Sequence, residues 1–173
     1  TVFGYLVLAL YVGLYFPLYA FGVRRLVHHL RIPATLAVPI VWTAVEYVRC
    51  TYVQGGFPWF MLGNTLTPLP VLVQGADLFG VWGVTFLIAM VNGAVVDLMR
   101  LRLRRAGRLN RQLVVWEGVT TATLVLWIAY GIFRLSQHTT TPGPRIAVVQ
   151  DNIQQGVKDD ASGSADYFGR YMA

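Results

Sequence analysis

The chain has 173 residues, of which 55% are hydrophobic and only 13% are charged, with a formal net charge of +6 at pH 7. This composition is far more apolar than that of a soluble domain of the same length, so it excludes an ordinary water-soluble fold. Nucleic acid is not an expected partner, because most cations lie in two short runs between apolar stretches, as in membrane proteins.

Four apolar stretches are long enough to cross a bilayer, since a helix rises about 1.5 Å per residue and the hydrocarbon core is about 30 Å thick. They are residues 2–23, 32–48, 78–99 and 113–133. The sequence therefore predicts an α-helical polytopic membrane protein, with a transmembrane domain over residues 1–138. The first residue lies inside an apolar run without a basic leader, so we expect a fragment at both ends.

A fifth apolar stretch, residues 57–74, lies between the second and third predicted spans. Pro58, Pro68 and Pro70 interrupt it. In lipid, these interruptions would leave backbone groups without hydrogen-bond partners. We therefore predict a re-entrant or interfacial loop packed on protein.

The arginines favour this four-span topology. Nine of the 14 Lys and Arg residues lie in two loops, residues 24–31 and 100–111. With four spans both loops face the cytoplasm, as the positive-inside bias requires, whereas a fifth crossing would place them on opposite sides. Loop 57–74 and everything after residue 133 are then extracytoplasmic.

The character of the chain changes after the fourth span. Residues 139–144 read Thr-Thr-Thr-Pro-Gly-Pro, which is a linker composition that cannot continue a helix. Residues 145–150 have a β-branched apolar centre and predict a short strand. Residues 145–173 are too few to bury a core, so we expect the first piece of a larger α/β domain.

Glu46 and Arg49 are the candidate functional residues of the second span. They lie three residues apart, close enough on one helical face to pair. An ionisable residue at membrane depth is costly and points to function, but an ion pair near the interface is also a common structural device. Both interpretations stay open at this point.

The motif Gly55-Gly56-Phe57-Pro58-Trp59 follows closely. The glycines permit a sharp turn, and the rings of Phe57 and Trp59 suit the level of the lipid headgroups. The motif predicts either an interfacial anchor or part of a lipid-facing vestibule.

Three other polar residues favour structural roles. Asp77 is expected to cap the third span at its helix N-terminus. Asn92 is expected to hydrogen-bond between helices, and Asp97 to meet the neighbouring arginines.

Cys50, His28 and His29 do not form a reactive or metal-binding set. Cys50 is the single cysteine, which excludes an internal disulfide and a cysteine cluster. It has no histidine base nearby in sequence, so we expect an inert thiol. We expect no metal and no cofactor.

A series of motifs follows in a fixed order along the chain. They are Glu46-Tyr47-Val48-Arg49, Gly55-Gly56-Phe57-Pro58-Trp59, Gly63-Asn64, the run from Gln74 to Leu87, and Asn92. In order and spacing they resemble the membrane part of bacterial apolipoprotein N-acyltransferases. Residues 145–153 are similar to the first strand of the nitrilase-like domain that follows in that family.

The resemblance implies an activity. Members of the family transfer an acyl chain from a phospholipid donor to the N-terminal cysteine of a diacylated apolipoprotein, on the outer face of the bacterial cytoplasmic (inner) membrane. It also implies that residues 145–173 begin a nitrilase-like (CN hydrolase) domain of αββα architecture. Its catalytic Glu, Lys and Cys are expected downstream of Ala173, so we expect this chain to be inactive alone.

The resemblance also suggests a substrate or lipid vestibule. Its candidate residues are Glu46, Arg49, Phe57, Pro58, Trp59, Gln150 and Asn152. The chain departs from the family pattern at Gln154, where a proline is common, and at Asp159, where a tryptophan is common. The departure at Asp159 leaves open a related acyltransferase with another donor or acceptor. On composition, a transporter or channel fragment also remains an alternative, because kinked spans and a re-entrant loop can form a substrate pathway. A purely structural membrane anchor is the third alternative.

Overall fold

The structure is a computed structural model that describes residues 2–53, 56–103 and 111–137, together with residues 143, 144 and 146. The chain divides into two units, Thr1–His138 and Thr139–Ala173. All described helices belong to the first unit. No strand occurs among the described residues, and almost all of the predicted nitrilase-like piece lies outside them.

The first predicted span is helical and longer than predicted. It consists of α1 (Val2–Gly13) and α2 (Tyr15–His28), separated only at Leu14. The interruption precedes Pro17, which has no N–H to donate to the carbonyl four residues earlier. The helix continues through the first arginines of the loop, because long cationic side chains can extend from a helix end to the interface.

The second predicted span forms α3 (Ala34–Thr51), which starts after Pro33 in an extended conformation (φ −60°, ψ 151°). Within the described residues, three helices are long and apolar enough to cross a membrane: Val2–His28, Ala76–Arg100 and Arg111–Ser136. α3 has 18 residues and is not among them, because Glu46, Arg49 and three threonines lower its mean hydropathy. Its crossing therefore stays a prediction.

Loop 57–74 contains no long helix. It holds a 3-10 helix (Leu62–Leu66) and the single turn α4 (Pro70–Val73). The prolines and glycines of this segment prevent a continuous helix, as the sequence predicted. Whether the loop is re-entrant or interfacial stays a prediction.

The third and fourth predicted spans form α5 (Ala76–Leu103) and α6 (Arg111–Ser136). α5 is interrupted at Gly80, whose φ of 64° and ψ of −172° lie outside the helical region. Only glycine adopts such a conformation at little cost. The first turn of α5 therefore points in a different direction from the rest of the helix.

α3 and α5 form the buried centre of the helical unit. Their interface is built largely from small residues: Ala34, Ala37, Ala89, Gly93 and Ala94. At Gly93 a Cβ would collide with the backbone carbonyl of Ala34. Small residues let helix backbones approach closely, which is how helices associate in lipid.

Candidate functional site

Glu46 and Arg49 form the centre of the candidate site, near the C-terminal end of α3. We call this the outer end of the bundle, and we call the end at which α3 begins the inner end. The two side chains pair as their spacing predicted, with 4.0 Å between Oε1 of Glu46 and Nη2 of Arg49. Both residues are buried, with 3% and 5% of their surface exposed. Because this distance is long for an ion pair, their main partners are elsewhere.

Arg49 binds the backbone of the loop that follows α3. Its Nη1 donates to the carbonyl oxygens of Trp59 at 2.7 Å and Phe57 at 3.3 Å. Its Nη2 donates to the carbonyl oxygen of Phe60 at 3.5 Å. The fixed fork of the guanidinium group satisfies several carbonyls of an irregular segment at once. The loop is therefore wrapped around one buried cation.

Glu46 binds the next part of the same loop. Its Oε1 accepts the backbone N–H of Leu62 at 2.7 Å, and its Oε2 accepts the hydroxyl of Thr85 on α5 at 2.8 Å. The Thr85 hydroxyl oxygen in turn accepts the N–H of Gly63 at 2.9 Å. These bonds compensate the cost of burying a carboxylate. We call Glu46, Arg49, Thr85 and the loop backbone 57–63 the outer loop network.

The loop backbone is closely packed and partly strained. Gly56 has a φ of 100°, which confirms the sharp turn predicted from the glycine motif. Phe60 has a φ of 57°, a conformation that non-glycine residues rarely adopt. At Gly63 a Cβ would lie 2.6 Å from the carbonyl oxygen of Val81. Such strain persists only where surrounding bonds enforce it, and here the outer loop network supplies them.

The loop presents aromatic rings at its surface. Phe57 and Trp59 stack with 6.0 Å between ring centres and 17° between planes. Phe57 also meets the edge of Tyr11 on α1 and lies 6.0 Å from the guanidinium carbon of Arg49. Trp59 and Phe60 are 64% and 68% exposed, and Pro58 between the stacked rings is also exposed.

A cavity of about 180 Å³ lies beside these groups. Its lining includes Tyr15, Tyr19, Trp42, Glu46, Arg49 and Phe60. Its walls are therefore mainly aromatic, with the charged pair at one side. A mostly apolar pocket with a few polar groups is the usual form of a ligand site.

Five of the seven predicted site residues are thus brought together. Gln150 and Asn152 lie outside the described residues. Sequence reasoning missed Thr85, although it belongs to the matched run from Gln74 to Leu87. Its position in a span gave no signal, because threonines in helices commonly bond to their own backbone.

The expected roles of Asp97 and Asn92 have different outcomes. Asp97 does meet an arginine, with 3.8 Å to Arg100. Its closer partners are the N–H and hydroxyl of Thr35, at 2.9 and 3.0 Å, so it caps the start of α3. The prediction of an interhelical hydrogen bond for Asn92 is wrong, because its side-chain amide donates to the backbone carbonyl of Ile88 in its own helix.

The expected capping role of Asp77 is replaced by an interhelical one. Asp77 lies in the first turn of α5, as predicted. Its carboxylate pairs with Nε of Arg134 at 2.8 Å and accepts the hydroxyl of Tyr130 at 2.8 and 2.9 Å. It therefore links α5 to α6.

Cys50 lies at the edge of the site. Its thiol is 3.5 Å from the carbonyl oxygen of Phe57. The thiol is half-buried, and its inert role stays a prediction.

Comparison with known proteins identifies the family. The family model of the apolipoprotein N-acyltransferase N-terminal domain matches residues 1–94. The apolipoprotein N-acyltransferase of Geobacter metallireducens is 37% identical over 155 residues, covering 88% of this chain and 28% of that protein. The enzyme of Rhodopirellula baltica is 32% identical over 146 residues, covering 82% and 25%.

The apolipoprotein N-acyltransferase of Bradyrhizobium diazoefficiens is 30% identical over 178 residues, covering 100% of this chain and 31% of that protein. The chain thus spans a quarter to a third of the length of these relatives. No solved structure matches it. From the family model and these relatives, we conclude that the chain belongs to the apolipoprotein N-acyltransferase family.

Proposed function

We propose that this chain is the membrane part of an enzyme that transfers an acyl chain from a phospholipid to the N-terminal cysteine of a diacylated apolipoprotein. Membership of the family and the names of the relatives support acyl transfer. The small share of each relative that the chain covers supports a catalytic domain beyond this chain. We place that domain after residue 145, as a nitrilase-like domain on the outer face of the cytoplasmic membrane.

The chemistry proposed for that domain proceeds in two steps. A cysteine thiolate attacks an ester carbonyl of the phospholipid, so that a thioester forms and a lysophospholipid leaves. The α-amine of the lipoprotein cysteine then attacks the thioester, so that an amide forms and the thiol is regenerated. Covalent catalysis of this kind divides one difficult transfer into two easier ones. We assign Cys50 no part in it, because its thiol is half-buried and lies 3.5 Å from the carbonyl oxygen of Phe57.

The membrane part has to deliver a long acyl chain to this chemistry. Exposing an acyl chain to water costs about 0.8 kcal/mol per methylene group, so delivery requires a continuous apolar surface. The exposed rings of Trp59 and Phe60 and the aromatic cavity beside them supply such a surface. We propose that Glu46 and Arg49 act as positioning residues that hold this vestibule in shape.

The single observation that carries the proposal is the outer loop network. A buried cation and a buried carboxylate are both directed at the backbone of one aromatic loop. A bundle that only anchors a domain has no need of a strained loop with exposed rings, because strained backbone is costly.

The proposal is tested with the parent protein, expressed from the whole open reading frame and reconstituted in phospholipid vesicles. A diacylated lipopeptide serves as acceptor, and mass spectrometry follows the N-acylated product. We expect product with the wild type and about a tenfold fall in rate with Trp59→Ala, because an apolar contact to the acyl chain is lost.

The matched control is Phe3→Ala, which removes an exposed ring on α1, far along the chain from the loop. It is expected to leave the rate unchanged. Absence of N-acylated product with the wild-type parent would refute the proposed function. Equal effects of the two substitutions would refute the vestibule.

A further inference from the structure

The segment of residues 70–77 leads into α5 and contacts the outer end of α6 at three points. At the first, the indole Nε1 of Trp127 donates to the carbonyl oxygen of Leu72 at 2.8 Å. At the second, one turn further along α6, Gly131 lies so close to the carbonyl oxygen of Val71 that a Cβ would collide with it. Both contacts are made to backbone atoms of the segment, so they fix its path along α6.

The third contact is an ion pair at the last turn of α6. Asp77 pairs with Nε of Arg134 at 2.8 Å and accepts the hydroxyl of Tyr130 at 2.8 and 2.9 Å. Nη1 of Arg134 donates in turn to the side-chain oxygen of Gln137, just past the end of the helix, at 2.6 Å. One carboxylate therefore holds the final turn of α6 and the residue that follows it. We call the three contacts together the α6 clamp.

Stability alone does not account for the ion pair. The side chains of Asp77 and Arg134 are 35% and 37% exposed. A pair that is open to solvent to this degree contributes little to the free energy of unfolding. The body of α6 is already held at Trp127 and Gly131. The ion pair acts on the last turn, where a helix otherwise frays.

The last turn of α6 is the point from which the chain leaves the helical unit. The linker of residues 139–144 follows, and a chain of six residues spans at most about 20 Å. Its two prolines restrict its conformations further. The position of this turn therefore limits where the proposed catalytic domain can act. In the other direction along the chain, the clamp is continuous with loop 57–74, which carries the rings of the vestibule.

We propose that Asp77 and Arg134 are positioning residues for acyl transfer. By fixing the last turn of α6 to the loop that carries the vestibule, they set the distance over which an acyl chain passes to the catalytic cysteine. A misplacement of about 1 Å can lower a rate about a hundredfold, so a small shift of this turn has a large effect. The inference rests on the proposed function and adds two residues outside the vestibule to it.

The first test measures acyl transfer by the parent protein in phospholipid vesicles. Asp77→Asn removes the charge but keeps an oxygen that can accept the hydroxyl of Tyr130. We expect kcat to fall about tenfold with an unchanged KM for the phospholipid, because the vestibule keeps its surface. The melting temperature should change little, since the ion pair is partly exposed. An unchanged kcat, or a loss that appears only in KM, would overturn the proposal.

Two substitutions of Arg134 separate its charge from its shape. Arg134→Gln is expected to lower kcat about tenfold, whereas Arg134→Lys keeps a cation and should keep kcat within about twofold of the wild type. Equal values for the two variants would overturn the ionic role. Arg100→Gln is the matched control, because Arg100 is 43% exposed and pairs with Asp97 at the inner end. It is expected to leave kcat unchanged, and an equal fall there would also overturn the proposal.

The second test needs no acyl transfer. In the full chain with Cys50→Ser, spin labels are attached at Thr65→Cys on the loop and Leu135→Cys in the last turn of α6, both at exposed positions. Pulsed electron paramagnetic resonance in nanodiscs then gives the distribution of distances between the labels. We expect Asp77→Asn to broaden a narrow distribution about twofold, and Arg100→Gln to leave it unchanged. Equal widths would overturn the clamp. An inactive wild-type parent would refute the proposed function, whereas an active parent with unaffected variants would refute only the positioning role.

Discussion

Two buried carboxylates lie at opposite ends of the α3–α5 pair. Both accept the same kinds of hydrogen bond, but the parts of the chain that they hold in place differ. Glu46 at the outer end accepts a backbone N–H from Leu62 and a hydroxyl from Thr85. Asp97 at the inner end accepts a backbone N–H and a hydroxyl from Thr35. Each carboxylate also has an arginine three residues further along its own helix.

The two ends differ in what the arginine does. Arg100 is 43% exposed, and its one contact with Asp97 is 3.8 Å long. Arg49 is buried and donates hydrogen bonds to three backbone carbonyls of an irregular loop. The inner end therefore completes the start of a helix, which is a structural task. The outer end maintains an irregular aromatic loop, which is expected where a membrane protein handles a ligand.

The largest expected effect is that of Arg49→Ala. The substitution leaves Glu46 as a buried charge without a cation. It also removes the side-chain donor of the Trp59 and Phe60 carbonyls and one of the two side-chain donors of the Phe57 carbonyl. We expect the free energy of unfolding to fall by about 3–5 kcal/mol, measured by denaturant unfolding in micelles. Arg100→Ala is the matched control and is expected to cost at most about 1 kcal/mol. Equal losses of unfolding free energy in the two variants would contradict the different roles of Arg49 and Arg100.

A smaller loss of unfolding free energy is expected when the threonine hydroxyls that donate to the two carboxylates are removed. Thr85→Val leaves the N–H of Gly63 without its acceptor and is expected to cost about 1–3 kcal/mol. Thr35→Val removes one hydroxyl bond to Asp97 but keeps the backbone bond, so about 1 kcal/mol is expected. The same unfolding measurement compares them. A larger loss for Thr35→Val would contradict the greater importance of the outer end.

Packing of the loop is tested by Gly63→Ala. The new Cβ would approach the carbonyl oxygen of Val81, and we expect a loss of about 1–2 kcal/mol in unfolding free energy. Gly118→Ala on α6 is the control, because a Cβ there meets nothing within 4 Å. That change is expected to be neutral or stabilising, since alanine favours the helix. Unchanged stability of Gly63→Ala would show that the loop relaxes freely.

The smallest effect on stability is expected for Trp59→Ala. The side chain is 64% exposed, so the unfolding free energy should change by at most about 0.5 kcal/mol. A much larger loss would mean that Trp59 holds the loop together and does not serve a ligand. The small effect on stability would contrast with the fall in acyl transfer expected for the same variant.

Much of the helical framework could be predicted from the sequence, because spanning length and arginine placement depend on composition alone. The pairing of Glu46 with Arg49 also followed from their spacing. The bonds from Arg49 to the loop could not be predicted, since backbone carbonyls have no residue signature. The error at Asn92 has a related cause, because a carbonyl one helical turn earlier is always within reach of such a side chain.

The most direct test of the account is the sidedness of the outer loop. In a Cys50→Ser background, single cysteines are introduced by Trp59→Cys or by Arg108→Cys in a bacterial host, and intact spheroplasts are treated with a membrane-impermeant maleimide. We predict labelling of the first variant in intact cells, and labelling of the second only after the membrane is permeabilised. Labelling of position 108 from outside, or of position 59 only from within, would contradict the account.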